Sequence, residues 1–283
     1  MLSMIEGSMT GERRRSVHVE RVMGTVVSFE LRGRGDHPVA LGEAVAWLHA
    51  VDRRFSSYRA DSEVSLFRRG ELSGSPSDDL LEVMAACEAV SAASGGAFDT
   101  HLAAGFDPSG YVKGWSVDRA AAILVAHGCD EWSINAGGDV RVSAPETAPS
   151  PWRIGIQHPF DRAALGTVLH ARQLAVATSG RYERGDHIED PRNRTEATAV
   201  ASVTVCGPAL GLADAFATAA FVLGAEGPAW VSGLEGYECW SVLHDGRVVA
   251  TAGFPMLVHS VPVRATGAAD PAGVTGALPV TRG

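Results

Sequence analysis

Lysine is almost missing from this sequence. Of the 24 basic residues in 283, one is a lysine, Lys113, and the rest are arginines. A composition this biased places arginine wherever any cation suffices. The position that keeps lysine is then either one that needs a compact ammonium on a flexible stem rather than a planar fork, or a helix N-terminus with one leftover surface lysine. Cysteine is scarce too. Cys87, Cys129, Cys206 and Cys239 lie far apart and form no CxxC pair, so neither a zinc ribbon nor a dithiol motif is supported, and four free thiols in a reducing compartment are expected. Positive charge is in deficit: the net charge is −9 and no basic run exceeds Arg13-Arg14-Arg15, which argues against a nucleic-acid partner. No signal-like apolar stretch, membrane-spanning run or membrane anchor is evident, and the cytoplasm is the default expectation.

What is present describes an ordinary globular domain, 46% hydrophobic and 20% charged, long enough to bury a sizeable core. Residues 1–16 are polar and arginine-bearing, and residues 257–283 are rich in Ala, Gly and Pro; both are expected to be disordered, leaving 17–256 as the folded domain. Residues 17–31 read as β-branched strands interrupted at Met23-Gly24-Thr25. Leu41, Val45, Leu48 and Val51 recur at helical spacing from Pro38 to Phe55. Asp61 and Ser62 cap a short helix, and Asp78-Asp79 open another that stops at Gly95-Gly96. Strands are predicted on both sides of Gly137-Gly138, at 152–157, 166–170, 173–178 and 198–206, and in a hairpin over 239–251. A small-residue helix spans 211–223. Mixed runs with hairpins, without steady βαβ alternation, give an α+β fold with antiparallel pairing.

Three features suit an anionic ligand with a metal. Asp214 and Thr218 stand at i,i+4, on one helix face. Their carboxylate and hydroxyl form a hard oxygen pair of the kind magnesium accepts; taken alone, the commoner reading of such a pair is an acid answering the helix dipole, with Thr218 bonding its own backbone. The stretch 106–118 combines Gly110, which lets the backbone turn toward a ligand, with a following helix start and Lys113. This resembles a phosphate cradle, but without the Walker spacing of a P-loop. His187, beside Asp190-Pro191, is a proton acceptor for neutral pH, or a plain surface histidine. Tyr58 and Phe98 flank turn residues and can stack on a planar ring, with core packing the competing reading of Phe98.

Taken in order, the blocks Met23-Gly24-Thr25, Phe55-Ser56-x-Tyr58, Gly95-Gly96-Ala97-Phe98-Asp99, Asp107-x-x-Gly110-x-x-Lys113-Gly114, Asn135-x-Gly137-Gly138-Asp139, Thr178-Ser179-Gly180, His187-Ile188-x-Asp190-Pro191 and Asp214-Ala215-x-Ala217-Thr218 resemble the ApbE family, the FAD:protein FMN transferases. The resemblance implies a T-fold-related α+β architecture with FAD as substrate and Mg²⁺ as cofactor. It places FAD contacts at Met23, Tyr58, Ala97, Phe98, Asp99, Asp107, Lys113 and Ile188, metal contacts at Asp214, Thr218 and the Gly110 carbonyl, and a catalytic base at His187. The implied reaction is attack of a Thr or Ser hydroxyl of an acceptor protein on the FMN-side phosphorus of FAD, with AMP leaving and with Lys113 and Asp214 assisting. The alternatives are hydrolysis of FAD to FMN and AMP, and flavin binding without catalysis. The sequence departs from the family pattern at Ser109-Gly110, where two glycines are usual. It departs again after Asp190-Pro191-Arg192, where Asn193-Arg194 replaces Thr-Gly.

Overall fold

The computed structural model describes residues 15–102, 105–180 and 188–254. The expected tail 257–283 and the catalytic-base candidate His187 lie outside them. Of the segment expected to be disordered, Arg15 and Ser16 are the first residues of a strand, because their backbones pair with Arg32 and Leu31.

The chain begins with the hairpin β1 (Arg15–Val22) and β2 (Thr25–Arg32). Three helices follow. In α1 (His37–Phe55), Asp36 accepts the Val39 N–H at 3.4 Å, proline sits in the first turn, and Ala40, Ala44, Leu48, Val51 and Phe55 form the buried stripe. Ser62 caps α2 (Glu63–Arg69), which ends on a left-handed Gly70. Ser77 caps α3 (Asp78–Ala93). A small hairpin, β3 (His101–Leu102) and β4 (Gly105–Phe106), leads into α4 (Ser109–Ala126).

The rest supplies most of the sheet: β5 (Glu131–Ala136), β6 (Asp139–Ser143), β7 (Trp152–His158), β8 (Asp161–Ala171) and β9 (Gln173–Gly180). Next come the short β10 (Glu189–Asp190) and β11 (Thr195–Glu196), then β12 (Val200–Gly207), α5 (Leu210–Leu223), α6 (Gly227–Val231), β13 (Glu238–Leu243) and β14 (Val248–Ala250). Eight strands form one sheet in the order β1-β2-β5-β6-β9-β12-β13-β14, every neighbouring pair antiparallel. The fold is α+β, as the mixed runs of elements predict.

The sheet separates two cores. Between sheet and helices lie Phe29, Leu31, Leu48, Leu124, Ile134, Val203, Val205, Leu210 and Phe221. On the other face the β7–β8 hairpin closes over Val140, Val142, Trp152, Ile154, Leu169, Val176 and Trp240. Each fully buried Leu, Ile or Phe contributes about 1.5–3 kcal/mol. The period of two in β6 gives Val140 and Val142 to the hairpin side and leaves Asp139 and Arg141 facing the helices. The segment Leu210–Val231 is apolar and long enough to cross a bilayer, but 72% of its window is buried inside the fold; α5 is the central core helix.

Two glycines let α4 and α5 touch backbone to backbone. A Cβ on Gly114 would lie 2.5 Å from the Leu210 carbonyl oxygen, and one on Gly211 would lie 3.0 Å from the Trp115 nitrogen. Asp118 of α4 locks the crossing. Its two oxygens accept the free N–H groups of Leu210 and Gly211 at the start of α5, at 2.9 and 3.0 Å, and it pairs with Arg141. Burial pushes this carboxyl up, against the pull of Arg141 and the two amides.

Candidate active site

A cleft of about 120 Å³ opens where the β1–β2 turn meets the end of α1 and the start of α4. Met23, Gly24, Val51, Phe55, Tyr58, Val112 and Lys113 are among its lining residues. Ligand pockets usually measure ~300–1,000 Å³, so this cleft holds one ring or one part of a larger molecule. Met23 and Gly24 both have positive φ, 54° and 68°, and Val22 pairs directly with Thr25. The interruption expected from Gly24 is therefore a two-residue hairpin turn. Such turns favour Asn-Gly; a methionine held there costs about 1–3 kcal/mol and carries its side chain to the cleft, where Ser116 Oγ donates to its sulfur at 3.6 Å. Tyr58 is 97% exposed, so core packing does not account for it, and its ring is free to cover a planar group.

Lys113, at the inner end of the cleft, is 14% exposed and touches two carboxylates from different elements. It forms a hydrogen-bonded ion pair with Asp139 at the start of β6, and its Nζ stands 3.1 Å from Asp214 Oδ2 on α5. The second contact is off hydrogen-bond alignment. Asp214 Oδ2 is shut away from solvent without a hydrogen bond among the described residues, so it enjoys the charge and lacks the bond. Asp139 Oδ1 accepts the Thr178 N–H at 3.1 Å, which ties the Thr178-Ser179-Gly180 end of β9 to the same point. One residue on, Ser179 Oγ lies 3.4 Å from Thr218 Oγ1.

Sequence reasoning missed Asp139. It read Gly137-Gly138-Asp139 as a turn, and the turn is real: Gly137 and Gly138 have φ of 63° and 105°, and Asn135 Oδ1 accepts the Gly138 N–H at 2.9 Å. The available signal was an acid opening a strand in which valines alternate with polar residues.

The donor set suits a hard cation. Among the described residues no group of three or more His, Cys, Asp or Glu gathers to hold a metal; the site offers the unbonded carboxylate oxygen of Asp214, the Thr218 hydroxyl and room for ligand oxygens. Magnesium accepts that mixture, since it keeps several water or phosphate ligands. The orphaned Asp214 oxygen, one turn from the Thr218 hydroxyl, is what such an ion would satisfy.

Gly110 needs correction. Helix α4 begins at Ser109, so Gly110 is helical and does not turn the backbone. Its missing side chain accommodates Phe98, whose ring edge would lie 3.2 Å from a Cβ there. Its carbonyl is directed along the axis toward residue 114. The helix start also offers fewer free amides than expected, because Asp107 accepts the Ser109 N–H at 3.0 Å and Pro108 O takes those of Tyr111 and Val112.

The remaining candidates lie in the segments before α4 and after β9. Ala97 and Phe98 are buried in the core. Asp99 accepts the His101 N–H at 2.8 Å. Ile188 is partly buried against the core and accepts the Ala197 N–H at 2.8 Å. Arg192 passes 3.6 Å from where a Gly96 Cβ would lie, so the loop after Ile188 packs on the 95–98 turn. There the Arg192 guanidinium holds the Asp190 carboxyl below its usual range. Arg194 has φ of 61°, the left-handed region that favours glycine. The four cysteines are buried and free, and burial pushes the thiols of Cys87, Cys206 and Cys239 up to about 12, which disfavours the thiolate in these three at neutral pH.

The model of the ApbE family matches residues 23–106 and 100–240. The chain belongs to the ApbE family. Among curated proteins, one from Rhodobacter capsulatus, named FAD:protein FMN transferase, is 35% identical over 154 residues, covering 51% of this chain and 29% of that protein. Another of the same name from Vibrio cholerae is 34% identical over 130 residues, covering 42% and 39%. The matches thus span less than half the length of these relatives. Among solved structures, the Vibrio cholerae flavin transferase ApbE superposes with a TM-score of 0.78 at 23% identity, covering 87% of this chain and all of that one. The Pseudomonas stutzeri flavinyl transferase ApbE gives 0.76 at 26%, covering 88% and 98%. The ApbE arrangement of helices on an antiparallel sheet is therefore shared across nearly the whole described chain.

Proposed function

We propose that this chain transfers the FMN moiety of FAD to a Thr or Ser hydroxyl of an acceptor protein and releases AMP. The observation that carries the reading is Asp214 Oδ2, a buried oxygen without a hydrogen bond among the described residues, one helical turn from Thr218 and beside the sole lysine. The curated relatives named for this activity support it. A structural acid would have its hydrogen bonds satisfied; this one is held ready for a cation.

In this reading Tyr58 and Met23 cover a ring of FAD at the mouth of the cleft, and Lys113 meets the pyrophosphate at its inner end. A magnesium ion held by Asp214 and Thr218, with ligand oxygens and water rather than the helix-directed Gly110 carbonyl completing its shell, would neutralise charge developing on the phosphates. Catalysis is then chiefly positioning and charge neutralisation. His187, which lies outside the described residues, takes the proton of the attacking hydroxyl. Ala97, Phe98, Asp99, Asp107 and Ile188 support the ligand from the neighbouring loops.

The test is incubation with FAD, Mg²⁺ and an acceptor carrying a Ser/Thr flavinylation segment. Flavin fluorescence that survives denaturing electrophoresis supports transfer. AMP release without flavin on the acceptor would assign hydrolysis instead.

A further inference from the structure

Lys113 is shared unequally by two buried carboxylates. It is hydrogen-bonded to Asp139, whose side chain is 1% exposed, and lends only charge at 3.1 Å to Asp214, whose side chain is 9% exposed. Asp139 is pinned in place by the Thr178 amide. A divalent ion on Asp214 would approach its oxygen to about 2.0–2.1 Å. The ammonium 3.1 Å from that same oxygen would then face a double positive charge in a poorly solvated setting. It has a place to go, because its stem is flexible and Asp139 keeps hold of it.

Charge arithmetic gives the same answer. Two carboxylates and one ammonium sum to −1; a divalent cation makes +1; a doubly ionised pyrophosphate diester returns the site to −1. The anion offsets the charge that the metal adds, while the metal alone leaves the site positive and opposed to the ammonium. An arginine here would grip Asp214 through its fork and not let go, which accounts for the single lysine in a chain that otherwise uses arginine.

We propose that Lys113 is a tethered stand-in cation: it neutralises Asp214 until a divalent metal arrives, and it leaves readily only when a pyrophosphate-type ligand can receive it. Metal loading is thereby conditional on the anionic substrate. This rests on the reading of Asp214 as a metal ligand.

The test is Mn²⁺ binding to the full chain, followed by the paramagnetic resonance of free Mn²⁺, with and without FAD. Without FAD, Lys113→Met is expected to bind Mn²⁺ at least about tenfold tighter than the parent, about 1.4 kcal/mol. Lys113→Arg is expected to bind more weakly than the parent. Parental or weaker affinity in Lys113→Met overturns the proposal. Asp214→Ala separates the two levels: if it binds Mn²⁺ as the parent does, the metal reading itself is wrong. Should Lys113→Met fail to fold, the parent labelled with ¹⁵N-lysine gives one side-chain ammonium signal. Titration with Mg²⁺ alone must move that signal in step with metal binding, and a signal unmoved at saturation overturns the proposal.

Discussion

Substituting Gly114 by alanine tests whether the α4–α5 crossing positions the site. The added Cβ would lie 2.5 Å from Leu210 O, 2.6 Å from Leu210 C and 2.7 Å from Gly211 N. These are backbone atoms, so no rotamer change relieves the contact. Carbon contacts are comfortable at ~3.5 Å or more, so the helices must part by about 1 Å (3.5 − 2.5). Overpacking of this kind costs about 1–3 kcal/mol, while alanine regains about 1 kcal/mol over glycine inside a helix. The net loss is about 1 kcal/mol, or roughly 2–4 °C in Tm. Function is hit harder. Lys113 precedes the glycine and Asp214 sits on the opposing helix, so the shift separates the residues at the cation site. A misplacement of about 1 Å can cost ~10²-fold in rate. Thermal unfolding, Mn²⁺ binding and flavin transfer are measured on the same preparation. A variant with parental metal affinity and turnover, whatever its Tm, refutes the claim that this crossing sets the site.

Asp118→Ala removes the acceptor for two amides at the start of α5 and leaves Arg141 unpaired; urea unfolding is expected to show a loss of about 3 kcal/mol. Arg194→Gly relieves a left-handed residue and is expected to raise stability by up to about 1 kcal/mol in the same assay. Glu30 predicts a pH dependence. Burial raises its pKa, but hydrogen bonds from Arg15 and Arg32 outweigh this and set it below the ordinary 4.5. Because the folded value is the lower one, the stabilisation is present above pH 4.5 and is lost as pH falls through the folded pKa. Glu30→Gln should therefore flatten the acid limb of a stability–pH profile, and an unchanged limb contradicts the assignment.

The parts of the fold that obey local rules were legible in the sequence. Ser62 caps α2 as expected, Asp78-Asp79 open α3, and the hairpin across Asp245-Gly246 forms between β13 and β14. The reading went astray where tertiary contacts decide. Gly110 looks like a loop glycine, yet it is helical and small because Phe98 presses against it. The little β3–β4 hairpin has no alternating pattern to announce it. Lys113 stood out by composition, and Asp214–Thr218 by spacing. The link between the two halves of the site runs through Asp139, which is adjacent to neither in sequence and meets Lys113 only because a period of two turns it toward α4.

The most direct test of the central claim is a stoichiometry. The chain is incubated with FAD, Mg²⁺ and an acceptor domain, AMP is quantified by chromatography, and the acceptor is weighed by intact-mass spectrometry. The account predicts one AMP for each acceptor that gains FMN less water, and no product of either kind with Asp214→Ala. AMP formed while the acceptor mass stays constant, or undiminished transfer by Asp214→Ala, would contradict it.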